Sequence, residues 1–304
     1  MHQASKGAGS APFLFMAVAS AVLMGTIGVI SNYAGLSAET LTFYRLGFGA
    51  ALMLGYLLLA GQARLLLTWP SWRVLANGVL LAAFIVCYVQ AMLYTSMANA
   101  IMMVYLSPVA ASVVAHFLLG ERLGLAAVGL ILLALFGFAM MMEFRLSFAS
   151  AADATGMAFA ALAMLAYAGF ILMNRIMPAR VHAYTRCWYQ LLAGALCLLP
   201  LMLQQGESIA APQWGWLLLA GLLPGFLAIL FAVIALRELP AATFGTLAYM
   251  EPIAVVTFGW VLFDQALTPL QLSGCALIMA SGMAQALLSQ RRERRGRTAL
   301  AAQT

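Results

Sequence analysis

Apolar residues run along this chain in ten long blocks separated by short polar joints: 12–31, 40–60, 74–95, 98–119, 124–142, 155–174, 184–204, 214–236, 241–263 and 269–289. A helix crossing a bilayer takes about 20 mostly apolar residues, so each block is long enough to span. The pattern predicts an all-α polytopic membrane protein with ten transmembrane helices. Little chain is left over. There is an N-terminal tail at 1–11, a joint at 143–154 where Arg145, Ser147, Ser150 and Asp153 interrupt the apolar run, and a basic tail at 290–304.

The blocks repeat. Tyr105-Leu-Ser-Pro108 to Gly120-Glu-Arg-Leu123 returns, shifted by 144 residues, as Tyr249-Met-Glu-Pro252 to Asp264-Gln-Ala-Leu267. At a shift of 145, Tyr44-Arg45 with Gly49-Ala50 aligns with Tyr189-Gln190 with Gly194-Ala195, and Gly129 and Gly137 align with Gly274 and Gly282. One inserted residue near Thr268 reconciles the two shifts. Halves at 12–142 and 155–289 carry five spans each. An odd number makes the two halves enter the membrane from opposite sides, as two inverted five-helix repeats. Inverted repeats place a binding site near the midplane, where one half rocks against the other to alternate access.

Composition and charge agree with this reading and orient it. With 65% hydrophobic and 8% charged residues, the chain lacks the polar surface of a water-soluble globule. If the N-terminus is inside, 13 of the 15 basic residues fall on the cytoplasmic side, with Arg145 outside and Arg45 within a span. The positive-inside rule then expects both termini in the cytoplasm of a multi-pass inner-membrane protein and the 143–154 joint in the periplasm. The arginines at 291–297 are an orientation signal and an anchor to anionic lipid; no nucleic-acid fold accompanies them. Cys87, Cys187, Cys197 and Cys275 sit in or beside apolar spans without metal spacing. The first apolar block ends in Ser31-Asn32 without a small-residue cleavage site and is kept as a span.

Chemistry inside the spans is sparse, which makes it informative. Glu251 stands mid-span, where ionisable groups are costly and by default functional. It is expected to bind a cationic or amino group, to carry a coupling proton, or to serve as a buried structural carboxylate. Pro252 beside it, and Pro108 in the fourth span, break the helical hydrogen-bond ladder. Freed carbonyls are tolerated at that depth where they face protein or a watery cavity. Arg45 lies one to two turns inside the second span, able to hold a carboxylate bidentately or to snorkel to the interface. An Arg45 and Glu251 pair would complement an amino acid, or form a structural ion pair or gate. Tyr105, Pro108, Ser112 and His116 share one helical face. Tyr249, Tyr88, Gln90, Tyr94, Trp188 and Tyr189 are further candidates for a cavity wall, with an interfacial aromatic belt as the alternative for residues near span ends. His116 suits a helix C-terminus. The glycine pairs suit close helix packing within the fold or in a homodimer.

In its order of motifs the chain resembles the drug/metabolite transporter superfamily, specifically its EamA-type ten-helix members. The residues carrying the likeness are Arg45, Pro108, Gly120-Glu121, Pro252 and the glycines at 129, 137, 274 and 282. Two departures stand out. Met24-Gly25 replaces the Trp-Gly frequent in the family, and Asp264-Gln265 stands where the repeat would place a second Gly-Glu. The resemblance implies an exporter or exchanger of small metabolites, with a cavity lined by spans 1 to 4 and 6 to 9 and with spans 5 and 10 peripheral.

Other classes find no support. HExxH, a membrane-facing GxSxG, a pair of intramembrane aspartates and a Walker A motif are all missing, and the single lysine, Lys6, lies outside the spans. Neither an enzyme nor a pump is expected, and no cofactor or metal. The expectation is a secondary carrier exporting amino acids or similar small metabolites, with a non-coupled channel or facilitator as the alternative.

Overall fold

The computed structural model describes residues 10–67, 70–121, 123–145, 151–178 and 180–301. Helices run nearly end to end. They are α1 (Ala11–Ala34), α2 (Ala38–Leu59), the short α3 (Arg64–Leu67), α4 (Trp72–Tyr94), α5 (Met97–Val104), α6 (Ser107–Leu119), α7 (Leu125–Met141), α8 (Ala151–Arg175), α9 (Ala183–Gln205), α10 (Ala211–Ala220), α11 (Ala228–Glu238), α12 (Ala241–Ala248), α13 (Met250–Phe263) and α14 (Pro269–Ala301). A π-helical stretch, Gly221–Leu227, joins α10 to α11. Among the described residues, nine helical stretches have the length and hydropathy to cross a membrane, and the 17-residue α7 is a shorter apolar helix. Large apolar side chains face outward, as with Leu59 at 92% exposure. In a bilayer that surface meets lipid.

Two spans are not continuous. The fourth consists of α5 and α6, broken at Tyr105-Leu106, and the ninth of α12 and α13, broken at Tyr249. Pro108 lies in the first turn of α6, and Pro252 near the start of α13. Each lacks the N–H that would bridge the break. The Ser107 hydroxyl takes up the freed carbonyl of Val104. Pro224 has the same effect in the eighth span, where the ladder widens to the π form. The spans expected over 98–119, 214–236 and 241–263 are present as the helical stretches Asn99–Leu119, Ala211–Glu238 and Ala241–Phe263, each with its ladder interrupted near a proline. α14 also runs beyond the expected end at 289, to Ala301.

Packing pairs the halves as an inverted repeat should. α2 lies along α9, α7 along α14 and α6 along α12, each pair joining equivalent spans. α4 lies along α8, and its mirror contact is α1 along the eighth span. The α7–α14 seam is close because a Cβ at Gly274 would fall 2.4 Å from the Gly137 carbonyl oxygen. Gly129 and Gly282 take no part in that approach: a Cβ at Gly129 would meet open space, and one at Gly282 only ordinary contact with Leu247 and Met250.

With ten helical spans, the start of α1 and the end of α14 lie on one face, here called the terminal face. The mirror symmetry fails in one respect. On the terminal side α6 and α12 pack tightly, whereas their counterparts α5 and α13 on the opposite side make no comparable contact. α4, α5, α6 and α8 form one wall, and α1, α11, α12 and α13 the other. The walls meet at the terminal face and part toward the opposite one.

Candidate functional site

At the floor of this cleft, five spans bring ionisable and aromatic groups together. α2 brings Arg45 from its third turn, seven residues or about 10 Å in from its start at the opposite face. Glu251 opens α13 just past the break. The Glu251 carboxyl lies in electrostatic reach of Arg45, Tyr88, Tyr105 and Tyr167. These five residues are half-buried, so each keeps some surface exposed.

Arg45 does not snorkel. Its Nη2 donates to the Met24 sulfur at 3.2 Å, and its buried Nε has no hydrogen-bond partner. Among the described residues no carboxylate oxygen lies in ion-pair distance of Arg45. A guanidinium donates in a fixed fork of five N–H groups, and this one retains unused donors beside a separate carboxylate. The π-helical stretch sets its place: a Cβ at Gly225 would fall 2.4 Å from the Arg45 carbonyl oxygen, so only glycine lets the eighth span approach α2 there.

One wall of the cleft is aromatic. Tyr167 stacks on Phe84 at 4.9 Å between ring centroids, and Phe84 on Tyr88 at 6.2 Å. Across the floor Tyr105 and Tyr249 lie 5.5 Å apart, and the Tyr249 hydroxyl donates to the Tyr105 carbonyl at 2.6 Å. Tyr249 is fully buried, whereas Tyr105 is half-buried and lies in electrostatic reach of Glu251. The repeat alone makes these two tyrosines equivalent, and the packing separates them.

Of the residues singled out in sequence, Glu251, Arg45, Tyr88 and Tyr105 converge. Tyr94 does not join them: it is 44% exposed and stacks on Phe159. Gln90 is half-buried on the last turns of α4 without a contact to the group. Tyr189 donates to the Leu66 carbonyl at 2.9 Å, tying α9 to α3 at the terminal face, and Trp188 packs edge-on against it. Tyr105 and Pro108 both pack against α12, at Tyr249 and Gly245, and His116 bonds the Glu121 carbonyl in the joint after α6. Tyr167, Phe84 and Met24 escaped sequence reasoning. The available signals were a lone tyrosine in the middle of the sixth span and the methionine standing at the family's tryptophan.

The cleft is distinct from an apolar crevice of about 400 Å³ in the outer wall, between α5, α7 and α8 and lined by Met102, Met103, Leu135 and Met157. Among the described residues no cluster of His, Cys, Asp or Glu could hold a metal ion.

Comparison with known proteins agrees with the architecture. The pattern of the EamA-like transporter family matches residues 11–143 and 154–283. An uncharacterized transporter of Archaeoglobus fulgidus is 27% identical over 266 residues, covering 86% of this chain and 92% of its own. The pseudopaline exporter CntI of Pseudomonas aeruginosa is 27% identical over 83% of this chain and 87% of its own. The threonine/homoserine exporter RhtA of Escherichia coli is 33% identical over 141 residues, 44% of this chain and 46% of its own. A crystal structure with 22% identity superposes at a TM-score of 0.82 over 92% of this chain and 99% of the other, which shows the shared fold.

Proposed function

The chain belongs to the EamA-like transporter family, and on that premise we propose that it exports amino acids or similar small zwitterionic metabolites across the inner membrane by alternating access. It is a membrane transporter and not an enzyme. In this reading residues 12–142 and 155–289 are the two moving repeats, both termini are cytoplasmic, and the cleft opens toward the periplasm.

One observation carries the substrate class. Arg45 and Glu251 face the same cleft floor as a separated pair, the guanidinium with unused donors and the carboxyl outside ion-pair distance. A permanent internal ion pair would satisfy both groups and leave nothing for a ligand. Held apart, they complement a molecule with a carboxylate at one end and an ammonium at the other. Tyr88, Tyr105 and Tyr167 add apolar faces with polar tips for the substrate's side chain. The names of two relatives fit this chemistry, since one exports threonine and homoserine and the other pseudopaline.

The packed α6–α12 seam favours a carrier over a channel, because a channel needs a path through the terminal side. Solute counterflow tests the reading. Proteoliposomes preloaded with unlabelled amino acids are expected to take up trace labelled amino acid transiently above equilibrium, with saturation. Flux that rises linearly with concentration and shows no counterflow would replace the carrier with a channel. Counterflow confined to anionic or neutral solutes would reject the zwitterion site.

A further inference from the structure

The joint Gly120-Glu121 is the motif whose second copy is missing from the repeat, and it sits where the two walls meet. The Glu121 side chain is 16% exposed and accepts from Arg175 Nε at the end of α8. Its other oxygen accepts from the main-chain N–H of Ala241 at 3.0 Å, at the start of α12. Arg175 Nη1 in turn donates to the Arg237 carbonyl at 3.0 Å, at the end of α11. One carboxylate thereby ties the wall carrying α6 and α8 to the wall carrying α11 and α12. Charge-assisted bonds of this kind are roughly twice as strong as neutral ones.

Beneath this network the walls approach more closely than any side chain would permit. A Cβ at Gly245 on α12 would fall 2.6 Å from the Pro108 Cβ on α6. Shifting by the repeat gives the partners of the mirror seam on the opposite side: Ile101 on α5 in place of Gly245, and Pro252 on α13 in place of Pro108. Gln265 likewise takes the place of Glu121. It lies back over its own helix end, its N–H donating to the Gly259 carbonyl at 3.2 Å and its Oε1 covering the space at Gly259. A neutral amide brings no negative charge, so Gln265 cannot form the ion pair with an arginine that Glu121 forms, and an isoleucine holds the mirror seam further apart than a glycine does.

We infer that Glu121 is a gate residue that latches the terminal face, and that the pairing of Glu121 and Gly245 with Gln265 and Ile101 biases the empty carrier toward the state open at the opposite face. Glu121 acts through the two walls and not on the cargo. This inference rests on the alternating-access reading above, and its test needs no cargo.

Hydrogen exchange on the full chain in lipid nanodiscs reads both faces at once. In Glu121→Gln and Arg175→Gln, the segment 238–248 is expected to exchange at least tenfold faster. The segments 37–42 and 94–100 at the opposite face are expected to slow, because opening one side closes the other. Gln265→Ala is expected to change neither face. Unaltered exchange at 238–248 would overturn the latch. Equal acceleration at both faces would also overturn it, since that marks general loosening and not a shift between two states. Intact latch behaviour in a chain that shows no counterflow would fault only the functional reading.

Discussion

The Tyr249 hydroxyl and the Tyr105 carbonyl, 2.6 Å apart, join the break in one half of the chain to the break in the other. The carbonyl belongs to the residue that ends α5, and the donor to the residue that ends α12. Replacing Tyr249 with Phe keeps the ring in its buried place and leaves that carbonyl without its partner. A loss of about 1 kcal/mol follows, within the range for hydrogen bonds inside membrane proteins. Thermal unfolding in detergent is expected to shift down accordingly, and unchanged melting would show that the carbonyl finds another donor.

Glu251→Gln preserves shape and removes the charge. The variant is expected to insert and to melt near the parent temperature while counterflow is lost, or loses its dependence on pH. Transport at the parental rate at every pH would make the carboxylate structural at most.

Arg45 is the second half of that pair. Arg45→Lys keeps a positive charge but replaces a planar fork of donors with a single ammonium. Affinity for a substrate carboxylate is expected to fall about tenfold or more, seen as a raised half-saturation concentration in counterflow. If lysine serves equally well, the guanidinium does not grip a carboxylate.

The two glycine positions of α7 are expected to differ sharply. At Gly137 a Cβ would meet the Gly274 carbonyl oxygen at 2.8 Å, and at Gly129 it would meet nothing within 4 Å. Gly137→Ala is therefore expected to destabilise by about 1–3 kcal/mol, the usual cost of forcing packed elements apart, whereas Gly129→Ala is neutral or slightly stabilising through helix propensity. Unfolding of the two variants side by side checks the contrast.

His182, at the terminal face outside the spans, provides a pH signature. Burial, followed by the nearby charges of Arg237 and Arg186, pushes its imidazole below the ordinary histidine range. In the neutral form its Nδ1 accepts the Tyr184 N–H at 3.2 Å at the start of α9. The unfolded chain then binds more protons than the folded one, and stability rises with pH in that window. Its contribution is present above the ordinary value of about 6.5 and is lost as pH falls through the lower, folded value. His182→Asn, another good cap, is expected to flatten that acid-side slope of melting temperature against pH.

Span number and repeat were legible in sequence because membrane insertion leaves a long-range hydropathy signal, and Glu251 stood out because any mid-span charge is conspicuous. Helix interruptions were legible only as prolines. Whether Pro108 and Pro252 bend or break their spans depends on the groups available nearby, such as the Ser107 hydroxyl that satisfies the freed carbonyl of Val104. The cavity wall was harder to read. Periodicity tells which residues share a face but not which neighbour that face meets. Tyr189 ties α9 to α3, while Tyr167 on α8 lies in electrostatic reach of Arg45 and Glu251. The unequal seams were beyond sequence symmetry, since a repeat predicts equivalence.

The length of α7 has a consequence for the membrane itself. Its 17 residues reach about 25 Å at 1.5 Å per residue, against about 36 Å for the 24 residues of α1. A hydrocarbon core is about 30 Å thick, so the edge of the molecule where α7 lies is shorter than the lipid around it. Thinner bilayers relieve that mismatch and thicker ones aggravate it. The acyl-chain length of the host membrane thereby becomes a mechanical load on the seam with α14, and the protein will hold together best in the thinner regions of its membrane.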